Sequence, residues 1–325
     1  MLVIVAPGQG AQVPGFLSPW LELPGLSEQF AAWSEVAGLD LVRYGTEAGA
    51  EEIRDTAVAQ PLLVGAGLAA ASAVLGPLSS PALPAKDSLV DAVAGHSVGE
   101  FTAAAVTGVL SPDEALSLVA ERGRGMADAA ARTETGMTAV LGGVREDVLQ
   151  AVEEAGLTAA NDNGSGQIVA AGTTERLAAF AENPPPRARL RPLSVAGAFH
   201  TEHMAPAVER VRAAADALSP QNPSTRLLSN ADGAVVADGA EYVRRLVAQI
   251  SSPVHWNACT QTLSDLGVTA LIELAPAGTL TGLAKRALRG VELLAVKTPD
   301  DVDRATALIK EHAGTSAPAS TGQEG

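Results

Sequence analysis

The chain opens on an apolar run, Leu2 to Ala6, that stops at Pro7-Gly8-Gln9-Gly10. A short apolar run closed by turn formers predicts a buried parallel strand. An Ala-rich apolar stretch over 60–75 predicts a long helix, ended by Gly76-Pro77. Residues 79–87 read as a Pro-rich loop. Ala92-Val93-Ala94 then runs directly into Gly95-His96-Ser97-Val98-Gly99, after which helical spacing resumes through Ala105. A further helix is expected over 112–131.

Beyond that helix the pattern changes. Strands are expected at 137–141, 158–161, 168–171 and 190–195, with helices at 146–155 and 175–180. That order, β-α-β-β-α-β, is the ferredoxin-like one. Residues 126–196 are therefore expected to form a small ferredoxin-like subdomain, inserted into a larger unit made of 1–125 and 197–312. In that larger unit, apolar runs at 271–274 and 293–296 alternate with helices, which predicts an α/β-hydrolase-like fold with a mostly parallel sheet. Residues 313–325 are small and polar and are expected to be disordered.

Composition narrows the function classes. Hydrophobic residues make up 47% of the chain and charged ones 18%, which excludes a disordered protein. Cys259 is the only cysteine, so no disulfide can form within the chain, and a reducing compartment fits. It is expected to be a small buried hydrophobe. The N-terminus lacks a signal peptide's basic flank, and no stretch is read as a membrane span of about 20 apolar residues. A cytoplasmic protein without membrane contact is expected. The net charge of −15 leaves no basic stripe to neutralise phosphates, which argues against nucleic acid.

Gly95-His96-Ser97-Val98-Gly99 fits the nucleophile-elbow pattern G-x-S-x-G, set between a strand and a helix. Such a turn exposes the serine hydroxyl, and the helix that follows aims N–H groups at the site. A serine nucleophile needs a base. Of His96, His200, His203, His255 and His312, the neighbour His96 must point away from the elbow, and His312 sits by the tail. His200, His203 and His255 remain. Pattern favours His200, which ends the irregular stretch Ala196-Gly197-Ala198-Phe199 after the last strand of the insert. Elbow logic makes the Val98 N–H one oxyanion donor, and the Gly8-Gln9-Gly10 turn is placed to supply another.

These segments resemble the malonyl-CoA:acyl carrier protein transacylases of type II fatty acid synthesis. The resemblance rests on Gly8-Gln9-Gly10-Ala11-Gln12, Gly95-His96-Ser97-Val98-Gly99-Glu100, Glu121-Arg122-Gly123-Arg124 and Asn161-Asp162-Asn163-Gly164-Ser165-Gly166-Gln167. Gly197-Ala198-Phe199-His200 and Glu273-Leu274-Ala275-Pro276, leading into Leu280-Thr281-Gly282-Leu283, extend it to about residue 312. It departs from the family at His203, where an apolar residue is expected, and at Ser165, where proline is usual.

The resemblance implies that Ser97 is the nucleophile and His200 the base, with Gln9 and Val98 supplying oxyanion N–H groups. Arg122 would hold the malonyl carboxylate as a bidentate pair, and the backbone carbonyl of Gln249 would orient the histidine. Asn161 and Phe199 would belong to the substrate site. Without the resemblance, Arg122 would read as a helical surface residue paired with Glu121 or Asp128. The implied partners are malonyl-CoA and a phosphopantetheinylated acyl carrier protein, with no cofactor and no metal. An acidic chain needs a local basic patch to meet an acidic carrier. Lys285 and Arg286, with Arg289 one turn on, form one candidate. Arg187, Arg189 and Arg191, alternating along an extended stretch, form another, and the resemblance favours Lys285 and Arg286. A polyketide-synthase acyltransferase would share these motifs. A serine esterase or thioesterase would share the elbow but should order its residues Ser…Asp/Glu…His.

Overall fold

A computed structural model describes residues 1–78 and 89–314. The expected loop at 79–87 and residues 315–325 of the expected tail lie outside the described residues. Strand β1 (Leu2–Ala6) is buried at every position. It is followed by α1 (Ser18–Leu21), α2 (Leu26–Ala37), α3 (Leu41–Thr46) and α4 (Thr56–Leu75). The α4 helix starts four residues before its apolar pattern suggests, because the Asp55 carboxylate caps it by accepting the Ala57 N–H at 2.8 Å. With 20 residues and a mean hydropathy of 1.8, α4 is long and apolar enough to cross a membrane, contrary to the sequence expectation. Its apolar window is 89% buried within the protein, against α5 (Gly99–Val106) and α6 (Pro112–Ala130) among others. The helix is apolar all round because it sits in the core.

Between α4 and α5 lies β2 (Ala92–Gly95). Ser111 starts α6 with a capping box to Glu114. The expected boundary at 125/126 falls inside α6, which continues unbroken to Ala130, so the change of layer comes after that residue. There follow β3 (Thr135–Gly142), α7 (Arg145–Glu154), β4 (Thr158–Asp162), β5 (Gln167–Thr173), α8 (Thr174–Glu182) and β6 (Ala188–Pro192). The chain then returns through α9 (Ala205–Ala215), β7 (Arg226–Leu227), α10 (Gly239–Ala248) and β8 (Val254–His255). It ends in α11 (Trp256–Asp265), β9 (Ala270–Glu273), α12 (Thr279–Ala287), β10 (Glu292–Ala295) and α13 (Val302–His312).

The first sheet has the order β10-β9-β1-β2-β7, with every pairing parallel. Its strands are apolar on both faces. Leu2 and Ile4 enter the main core, while Val3 and Val5 pack on the other side with Leu263 and Leu283. The second sheet has the order β6-β3-β5-β4-β8. Its first four strands are the ferredoxin-like set, and β8 adds to β4 in parallel from the larger unit. Val140, Ile168 and Ala170 face Val148 and Phe180, whereas Met137, Val169 and Ala171 join the main core.

The last strand of the insert begins two residues earlier than expected and ends at Pro192. The turn after β4 runs through Gly164, Ser165 and Gly166, all at positive φ. Proline's ring fixes φ near −65°, so Ser165 at φ 49 gives this hairpin a conformation that proline could not take. Gln9, Ser97 and Glu273 all lie at or beyond the carboxyl ends of the parallel strands, the edge where open α/β sheets hold ligands.

Candidate active site

Ser97 stands between the end of β2 and the start of α5 with φ 52, a left-handed conformation that serine seldom adopts. The turn is tight enough to require glycine on both flanks. A Cβ on Gly95 would overlap the backbone of Gly99 and Glu100, and one on Gly99 would overlap the carbonyl of Ala6. Asn230 clamps the turn from outside. Its Oδ1 accepts the Ser97 N–H at 2.7 Å, and its Nδ2 donates to the Gly95 carbonyl at 2.7 Å.

His200 Nε2 lies 2.8 Å from Ser97 Oγ, and His200 Nδ1 lies 2.8 Å from the Gln249 carbonyl oxygen. A carbonyl can only accept, so Nδ1 carries the proton and Nε2 is left to receive one from serine. Burial, reinforced by the positive charge of Arg122, pushes the His200 pKa down to about 3. The ring is therefore a neutral base across the physiological range. His200 is itself left-handed, at φ 62, at the end of the irregular loop.

Arg122 is fully buried on α6, so the surface pairing that local pattern alone would give is not made. Glu121 pairs instead with Arg124 and Arg210, and Asp128 pairs with Arg210. The guanidinium donates to Gln60 Oε1 at 2.6 Å and to Gln249 Oε1 at 3.0 Å, and it reaches Ser97 Oγ at 3.4 Å. Its Nε is buried without a partner. Desolvation lowers its pKa to about 10, which keeps it cationic. The N–H groups of Gln9 and Val98 bond no acceptor among the described residues, which leaves both free to donate.

Asn161 is buried on β4 beside Val254, and Asn163, two residues on, is the one that meets the elbow. Its Oδ1 lies 2.8 Å from His96 Nε2, which turns the His96 ring away from Ser97, against Trp256. Phe199 is buried in the main core. His203 lies in the short turn after the loop and His255 on β8. Cys259 is buried, its thiol pushed up by desolvation, and it bonds the Ser229 carbonyl.

Lys285 and Arg286 are exposed in the last turn of α12. That helix leaves the serine edge of the sheet and returns toward the start of β10, so the pair sits about 9 Å along it from its first residue. Arg187 has φ 60 and precedes β6, so only Arg189 and Arg191 share a sheet face. The expected alternation of all three is not formed.

Sequence reasoning missed Asn230, Gln60 and the use of Glu100. Glu100 did leave a signal, as the one charged residue in Gly99-Glu100-Phe101-Thr102-Ala103-Ala104. One cavity of about 1010 Å³ is lined by Leu26, Trp33, Ala73 and Asp113 and by none of Ser97, His200 or Arg122.

Residues 4–317 match the model of the acyl transferase domain. The chain belongs to the acyl transferase family. This acyltransferase is 52% identical over 303 residues to the malonyl CoA-acyl carrier protein transacylase of Mycobacterium bovis, covering 93% of this chain and 98% of the relative. It is 32% identical to the transacylase of that name in Bacillus subtilis, covering 95% and 98%. The acyltransferase also superposes on the crystal structure of MCAT from Mycobacterium tuberculosis with a TM-score of 0.87 at 50% identity, covering 94% of this chain and 99% of that one. A malonyl-transacylase solved in complex with its type II PKS acyl-carrier protein is similar at a TM-score of 0.85 and 27% identity, covering 94% and 99%.

Proposed function

We propose that this acyltransferase moves a malonyl group from malonyl-CoA to the phosphopantetheine thiol of an acyl carrier protein, through a malonyl ester on Ser97. The observation that carries the reading is Arg122, a buried cation with one unpartnered N–H, 3.4 Å from the serine oxygen and bonded to no carboxylate. A buried guanidinium with no carboxylate bonded to it is costly, and a carboxylate on the acyl group fits its geometry and charge.

Ser97 Oγ attacks the thioester carbonyl while its proton passes to His200 Nε2. The N–H groups of Gln9 and Val98 hold the oxyanion. The C–S bond then breaks, and the coenzyme A thiolate leaves with the proton from His200. The carrier thiol reverses these steps and frees Ser97. The Gln249 carbonyl does the orienting that a carboxylate does in many serine hydrolases. That choice disfavours the esterase reading, which needs an acid after the serine. An acetyl group would leave Arg122 unpaired and should react poorly. Gly197-Ala198-Phe199-His200 and Val98 resemble malonyl-type rather than methylmalonyl-type acyltransferases, so methylmalonyl-CoA should be a poor substrate.

Lys285 and Arg286 are our candidates for the carrier-docking surface, and with a buried reduced Cys259 we place the enzyme in the cytoplasm. The site reads the acyl group rather than the carrier, so carriers of fatty acid and of polyketide synthesis both fit this reading. The reading predicts that holo carrier protein becomes malonylated when malonyl-CoA and enzyme are added. Hydrolysis to free malonate without transfer would point to a thioesterase.

A further inference from the structure

Glu100 is fully buried in the first turn of α5, three residues after Ser97, and the transfer steps above do not use it. Its Oε1 accepts the Asn230 N–H at 2.7 Å, and its Oε2 accepts from Gln249 Nε2. Each of those amides in turn holds a working group. Asn230 holds the N–H of Ser97 and the carbonyl of Gly95. Gln249 offers its backbone oxygen to His200 and its side-chain oxygen to Arg122. The two amides also meet each other, Gln249 Nε2 to Asn230 Oδ1 at 3.3 Å. One carboxylate therefore anchors the elbow, the base and the guanidinium.

Glu100 is also the acid that acts on Arg122, with one amide between them. The groups facing it are Arg122 from α6, Tyr242 and Arg245 from α10, and Cys259 from α11. Burial pushes its carboxyl up to about 8, with the Asn230 N–H and Arg122 pulling the other way. It is thus poised to be charged or neutral near working pH.

We propose that Glu100 is a positioning residue acting through Asn230 and Gln249, and that it is the counter-charge Arg122 exchanges for the acyl carboxylate. This rests on the reading of Arg122 as the carboxylate clamp. When the acyl carboxylate reaches the guanidinium, a second negative charge enters the same buried region. Like charges raise each other's pKa, so Glu100 takes a proton from solvent.

The test uses the whole enzyme, stoichiometric malonyl-CoA and a pH indicator. At pH 8 about half of Glu100 is ionised, so acylation should take up to about half a proton per site. Protons from the released thiol are corrected by titrating the same amount of free coenzyme A at the same pH. The uptake should vanish at pH 6, and its absence at pH 8 would overturn the exchange. Glu100→Gln keeps the shape but loses the charge and one acceptor. It should abolish the uptake and lower kcat/KM for malonyl-CoA about 10–100-fold, with Glu100→Asp recovering part. A Glu100→Gln enzyme with parental kcat/KM and only a lower Tm would overturn the positioning role. Should the variant not fold, the proton measurement on the parent decides. Arg122→Ala run alongside separates the two readings. If it leaves malonyl-over-acetyl preference unchanged, the clamp reading has failed, whatever Glu100→Gln does.

Discussion

The two sheets divide the work unequally. The parallel sheet ends in polar chemistry: Ser97 follows β2, Gln9 follows β1, and a buried web of Glu100, Asn230, Gln249 and Arg122 ties the strand ends to the helices behind them. The antiparallel strands of the insert are mainly aliphatic, with Thr135, Thr138, Asn161 and Asp162 buried among them, and the turn after β4 sends one polar contact to the elbow, Asn163 to His96. Buried polar groups are costly unless fully bonded, so a fold that concentrates them in one place concentrates precision there. The insert then serves as a wall and tolerates change. Variants in the first sheet's web should therefore cost far more than variants in the insert.

The largest effect short of removing the serine belongs to the base. His200→Ala should lower kcat about 10²–10⁴-fold in single-turnover acylation. A loss of under tenfold would put the base elsewhere, with His203 and His255 the remaining histidines to examine. Next comes the clamp. Arg122→Ala should weaken the interaction with malonyl by about 3–5 kcal/mol, as removing one partner of a buried ion pair does, and acetyl-CoA should then compete better. Competition between the two thioesters reads this directly, and an unchanged ratio would make Arg122 purely structural.

The insert supplies the contrast. Asn163→Ala removes one neutral hydrogen bond, worth about 1 kcal/mol, so kcat/KM should fall by roughly fivefold or less. A loss as large as that of His200→Ala would mean that the insert positions the elbow as strongly as the parallel sheet does. Smallest is the surface. Charge reversal at Lys285 and Arg286 should raise KM for the carrier a few-fold at low salt and leave acylation by malonyl-CoA unaltered. Normal transfer at low salt would move the docking surface elsewhere, with Arg189 and Arg191 the next pair to reverse.

The same division explains what could be read from the sequence. The longer strands were accessible because apolar runs and the β-α-β-β-α-β succession carry their own periodicity, as in β1, β3 and β5. The two-residue strands β7 and β8 were not, since two residues show no period and their pairing depends on distant strands. Ser97 stood out because a turn this tight writes its glycines into the chain, and His200 because it ends an irregular Gly/Ala-rich loop whose motif the family shares. Asn230 could not, because a polar residue 133 positions from the serine gains meaning only when the fold brings it there. Arg122 shows both sides of this: local pattern makes it a surface residue, and only the family motif around it pointed inward.

The central claim is that acyl transfer passes through an ester on Ser97. Intact-mass analysis after mixing enzyme with malonyl-CoA, followed by peptide mapping, tests it most directly. The account predicts one malonyl adduct per chain on the peptide holding Ser97, discharged by holo carrier protein and absent from Ser97→Ala. A malonyl adduct on the Ser97→Ala enzyme, or transfer to the carrier by that variant at the parental rate, would contradict it.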